Sequence, residues 1–136
     1  MLMVDFGPLR KMPYRGGVIM LPEFTLHVQC SWRISRRDRI VLGAMDFYYS
    51  PKHRSLTHWS KRGKNRFDKI SRKLNRQFKS RPSRVLSGVA DAFGGFSLSL
   101  SHQYRLELFP EDGSNGAHEH WRLFCPGTKQ RHFVVP

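Results

Sequence analysis

The chain has 136 residues, 39% hydrophobic and 25% charged, with ten Phe, four Tyr and three Trp. That length suits one domain with a buried core, and the aromatic content excludes a disordered chain. Lysine and arginine number 24 against ten acids, a formal net charge of +14 that calls for an acidic partner. No apolar run reaches the roughly 18 residues of a membrane-spanning helix. The opening MLMVDFGPLR carries an acid and no secretory pattern, so the expectation is a cytoplasmic protein without a membrane span.

In chain order, Asp5-Phe6-Gly7 comes first and Gly16-Gly17 marks a turn. Phe24-Thr-Leu-His-Val-Gln-Cys30 has an apolar residue at every second position, the period of a half-buried strand. Trp32-Arg33-Ile34 and the apolar run Ile40-Val41-Leu42 follow. Residues 1–50 therefore read as a first antiparallel β unit.

Residues 52–84 hold 13 basic side chains and one acid, Asp68, which places +12 of the net charge in a single connector. Its first part, from Pro51 to Gly63, has no periodicity and reads as an exposed loop. Its second part is helical in pattern. Phe67, Ile70, Leu74 and Phe78 form a narrow apolar stripe, and Arg66, Lys69, Arg72, Lys73, Arg76 and Lys79 fill the other faces. Asn65 can cap the first turn, Asp68 suits the positive end of the helix dipole, and Pro82 stops the helix, predicted over 66–79. Uncompensated like charges repel one another, so a polyanion, nucleic acid before others, is the expected occupant of this connector, residues 51–83. Lys61, Arg62, Lys64 and the helix cations would meet phosphates. Trp59, an aromatic among cations, would stack on an unpaired base, although it can equally pin the loop to the body.

The second half repeats the order of the first. Val85–Ala92 and Phe96–Leu100 read as a hairpin joined at Gly94-Gly95, with Asp91, Phe93 and Gly94 echoing Asp5-Phe6-Gly7. Tyr104-Arg-Leu-Glu-Leu108 alternates like Phe24–Cys30, and Trp121-Arg122-Leu123 and Phe133-Val134-Val135 follow. The fold class is therefore α+β: two similar antiparallel β units, 1–50 and 84–136, joined by a basic loop and one amphipathic helix, with a possible internal repeat about a pseudo-two-fold axis. In such a repeat Trp32 and Trp121 are buried equivalents and Leu26 matches Leu106. Residues 109–120 have no counterpart in the first half and read as an inserted mobile loop.

With its paired Trp-Arg-aliphatic strands, over Phe24–Leu42 and Val85–Val135, the chain resembles a group of small uncharacterised bacterial proteins, some of them immunity-like. That resemblance implies a protein-interaction module docking on an acidic protein, as the alternative to nucleic acid, and brings no catalytic residue.

Candidate chemistry is otherwise sparse. His118-Glu119-His120, with His102 as a third ligand, is a metal spacing, but no motif accompanies it and solvated side chains explain it as well. The sequence has no G-x-S-x-G and no phosphate-cradling glycine motif. Glu111 and Asp112 suit a turn beside Pro110 and Gly113. Cys30 and Cys125 are widely spaced and read as small buried hydrophobes. The expectation is a non-enzymatic protein with no metal site and no cofactor.

Overall fold

The computed structural model describes residues 1–50, 63–111 and 118–136. Among these residues the strands are β1 (Leu2–Tyr14), β2 (Gly17–Val28), β3 (Ser31–Arg36), β4 (Arg39–Gly43), β5 (Val85–Ala90), β6 (Phe96–Leu100), β7 (Tyr104–Phe109), β8 (Trp121–Phe124) and β9 (Phe133–Val135). One α-helix, α1 (Arg66–Ser80), precedes β5, and 3-10 turns cover Ala44–Phe47 and Ser101–Gln103. The strands form two wholly antiparallel sheets, ordered β1-β2-β8-β9 and β4-β3-β7-β6-β5, so the class is α+β. No helix among the described residues is long and apolar enough to cross a membrane.

The division into β units at 1–50 and 84–136 is corrected by the strand pairing. β1 and β2 share a sheet with β8 and β9, while β3 and β4 join β5, β6 and β7. One compact unit is accordingly Met1–Cys30 with Pro110–Pro136, and the other is Ser31–Phe109. Alternating apolar residues locate a strand and its buried face, but they carry no information about which distant strand completes its hydrogen bonds.

In the first unit, β1 is a strand that the sequence pattern conceals. Gly7, at φ 77°, and Pro8 fall in a bulge between Phe6 and Leu9, and the two-residue period breaks there. Arg15 (φ 46°) and Gly16 (φ 78°) form the tight turn into β2, the left-handed pair that a two-residue hairpin requires. Leu2, Leu26, Val28 and Trp121 are buried. Cys30 follows β2 and Cys125 follows β8; neither forms a disulfide, and both are half-exposed rather than buried, each lying just past a strand end.

In the second unit, Trp32, Leu42, Leu74, Tyr104, Leu106 and Leu108 are buried. β5 ends at Ala90 rather than Ala92, because Asp91 builds the turn: its Oδ1 accepts the N–H groups of Phe93 at 2.8 Å and Gly95 at 2.9 Å. Asp91 is thus a turn residue, whereas Asp5 lies inside β1, so the expected match between the two Asp-Phe-Gly elements fails.

The central pairings of the two sheets nevertheless share one register. Leu26 faces Leu123 and Val28 faces Trp121 between β2 and β8. Leu106 faces Ile34 and Leu108 faces Trp32 between β7 and β3. Trp32 and Trp121, 4% and 8% exposed, therefore occupy matching positions, and Leu26 stands where Leu106 does. Arg33 and Arg122 match as well, opposite Glu107 and His27.

Candidate nucleic-acid interface

Helix α1 forms from local signals. Asn65 Oδ1 accepts the Asp68 N–H at 2.8 Å, and the Asp68 carboxylate accepts the Gly63 N–H, so an acid sits at the positive end of the helix dipole. The helix ends at Ser80, two residues before Pro82.

Its apolar stripe docks within the second unit. Leu74 is 5% exposed, and Phe67, Ile70 and Phe78 are half-buried. The Phe67 ring stacks on Phe47 with centroids 3.9 Å apart and meets Trp32 edge-on at 5.9 Å. Phe78 meets Tyr104 edge-on at 5.1 Å. These aromatic pairings, one near each end of the helix, fix which way it faces.

Lys69, Arg72, Lys73, Arg76 and Lys79 are all exposed on the remaining surface. At 1.5 Å of rise per residue they span about 15 Å in steps of three and four residues, a continuous row. Among the described residues none of the five makes an ion pair; Arg72 Nε donates to the Asp68 carbonyl at 2.9 Å, which leaves its charge uncompensated. Lys64 is exposed just before the cap, and Arg81 and Arg84 are exposed beyond the helix.

Arg66 departs from the expected phosphate set. Its Nε pairs with Asp46 Oδ1 at 2.7 Å, and the other carboxylate oxygen of Asp46 accepts the Gly43 N–H at 2.8 Å. A carboxylate 20 residues earlier in the chain, placed by the 3-10 turn, takes that charge for fixing the start of the helix. Lys61, Arg62 and Trp59 lie outside the described residues, as does most of the basic loop.

The histidine candidates do not assemble. Glu119 accepts from Gln29 Nε2 at 3.1 Å, lies 3.5 Å from Arg122 Nε and is 3.8 Å from His27 Nδ1. Burial and the neighbouring Arg122 guanidinium push the His27 imidazole below its ordinary pKa, against the opposing pull of Glu119. His118 is exposed, His120 is buried and His102 belongs to the other unit; no group of three or more possible metal ligands occurs among the described residues.

On the second sheet Arg33 grips Glu107 through two hydrogen bonds, from Nε at 2.7 Å and from an NH2 group at 3.0 Å. The hydrogen bonds from Arg33 hold the Glu107 carboxyl below the usual carboxylate range, and they raise the Arg33 guanidinium in turn. Compared with known proteins, the chain matches no protein-family model, no curated protein and no solved structure.

Proposed function

We propose that this chain is a non-enzymatic binding protein that contacts nucleic acid through its phosphates, with α1 as the contact surface. The observation that carries this reading is the exposed row Lys69, Arg72, Lys73, Arg76 and Lys79, unpaired among the described residues and opposite a docked apolar stripe. Like charges three and four residues apart each cost a few tenths of a kcal/mol in an isolated helix. A polyanion turns that repulsion into attraction, and binding is driven by release of the counterions it had condensed. Lys64, exposed just before the helix cap, adds to this surface, while Lys61, Arg62 and Trp59, the other expected contacts, lie outside the described residues. Base specificity is weak, because phosphates position a protein without reporting sequence.

Fluorescence anisotropy with labelled single-stranded and duplex DNA and RNA tests this. Parent affinity falls steeply as salt rises from about 50 to 200 mM. The variant K73Q/R76Q binds more weakly, with a salt slope shallower by up to about one unit for each phosphate no longer neutralised, and keeps the parent's circular dichroism. Absence of association with any of the four nucleic acids at low salt refutes the reading, and so does equal binding by the variant at every salt concentration.

A second reading, the immunity-type module, docks an acidic protein on the same exposed cation row of α1, which suits a carboxylate-rich surface as it suits phosphates. Purification separates the two: a raised 260/280 absorbance ratio supports nucleic acid, and a discrete acidic protein that co-elutes supports the module.

A further inference from the structure

One end of the second sheet carries an open cavity of about 440 Å³, lined by Ser35, Arg37, Ser99, Gln103, Tyr104 and Arg105. That volume is in the range of small-molecule sites. Its lining has hydroxyls, an amide and two guanidinium groups, and no carboxylate. Three of the residues form one cross-strand row, Ser35 on β3 facing Arg105 on β7, which faces Ser99 on β6. Side chains along such a row project to the same side of a sheet.

The charge of Arg105 is left over by the arrangement of its neighbours. Glu107 lies two residues further along the same face of β7, and Arg33 already holds both of its oxygens. Arg105 is exposed and makes no ion pair among the described residues. At the rim, Arg37 Nε donates to Gln103 Oε1 at 2.6 Å, so the amide oxygen is occupied and the Gln103 NH2 group remains as a donor. The cavity is thus lined by groups that donate.

The turns that shape it are backbone outliers. Arg37 (φ 55°), His102 (φ 60°) and Gln103 (φ 63°) all lie in the left-handed region that non-glycine residues seldom enter. They are held there by neighbours on both sides. The Arg37 N–H donates to the Gln103 carbonyl at 3.0 Å, and the Ser101 N–H donates to the Arg84 carbonyl at 2.8 Å. The Arg84 N–H donates to Ser101 Oγ at 2.9 Å, and Ser83 Oγ donates to the Ser101 carbonyl at 3.2 Å.

The first sheet supplies an internal comparison. At the positions matching Ser35, Arg105 and Ser99 it carries Phe124, Thr25 and Asp5. Thr25 is 2% exposed and its hydroxyl donates to Asp5 Oδ1 at 2.8 Å, so the same row is closed and self-satisfied. The basic, donor-lined opening belongs to one sheet only and is no requirement of the shared register.

We propose that this cavity binds a phosphate group, free or carried on a nucleotide end, with the Arg105 guanidinium as its principal charged partner and Ser35, Ser99, Gln103 and Arg37 as further donors. Arginine suits such an oxyanion because its planar fork offers parallel N–H donors. The site is separate from the cation row on α1 and stands whether or not that row binds nucleic acid.

Isothermal titration of the full chain with inorganic phosphate at low ionic strength tests the site. Saturable binding is expected, weakened about tenfold or more by R105Q and unchanged by the helix variant K73Q/R76Q. Thermal melts of R105Q matching the parent show that the sheet is intact, and S35A/S99A weakens binding less than R105Q does. Phosphate that fails to saturate, R105Q binding as tightly as the parent, or chloride competing equally at the same concentration overturns the proposal. Oligonucleotides with and without a 5′-phosphate then separate the sources. Tighter binding through the terminal phosphate that R105Q abolishes assigns the site to nucleic-acid ends, and phosphate binding with no such difference assigns it to the free ion or a small phosphate ester.

Discussion

Arg33 and Glu107 face each other directly between β3 and β7 and share two hydrogen bonds, although 74 residues separate them in sequence. The pair joins strands from the two halves of the chain, and its charge is satisfied internally.

This pair predicts an acid limb of stability. Glu107 has a lowered pKa in the fold, so its contribution is fully present above the ordinary glutamate value of about 4.3 and is lost as pH falls through the lower folded value. Urea denaturation from pH 7 to pH 3 is expected to show parent stability declining over the acid end of that range. In E107Q the decline should be shallower, and a curve superimposable on the parent's would show that the pair contributes no such limb.

Leu74 is the buried residue of α1, so truncation removes packed methyl groups and leaves a cavity beneath the helix. L74A should lose about 2 to 4 kcal/mol in urea denaturation. Substitutions on the opposite face, such as K73Q, should stay within about 0.5 kcal/mol of the parent.

Asn65 is 3% exposed, and its side chain satisfies one of the free N–H groups at the start of the helix. N65A should cost about 1 kcal/mol, and N65D or N65S should restore most of it. Equal melting temperatures for parent and N65A would mean that the ion pair between Arg66 and Asp46 alone secures this end.

Neither half of the chain should fold by itself. Fragment 1–50 has β2 without β8 and β3 without β7, and fragment 84–136 has the converse. Each fragment alone should show little sheet by circular dichroism and fast amide exchange. A cooperative melt from either would contradict the cross-half pairing.

Helix α1 was legible in sequence nearly to the residue, because its cap, its apolar stripe and its proline stop are all local. β6, β7, β9 and the second half of β2, from Phe24, were legible for the same reason, through alternation or a short apolar run between turns, whereas the first half of β2, Gly17 to Glu23, lacks that alternation and was not. β1 was hidden by the bulge at Gly7 and Pro8, and the partition into sheets was hidden altogether, since hydrogen-bond partners are chosen across the whole chain. Arg66 illustrates a further limit. Its charge looks like its neighbours' in sequence, and only the placement of Asp46 by a 3-10 turn takes it out of the exposed row. The cavity was invisible because Ser35, Ser99 and Arg105 are ordinary residues on three separate strands until the register aligns them.

The interleaving of the two sheets also bears on how the chain acquires its fold. Gln29 and Glu119, hydrogen-bonded beside the first sheet, stand 90 residues apart, and the β2–β8 pairing closes a loop of similar length. During synthesis the hairpin of β1 and β2 emerges before the second unit and waits for the whole of that unit before β8 can reach it. The second unit is contiguous, from Ser31 to Phe109, and can assemble while that wait lasts. Long-range closure of this kind sets slow folding rates. Maturation of the first sheet is therefore the expected last and slowest step, and the interval before it is when exposed strand edges are most open to capture by chaperones or by other chains.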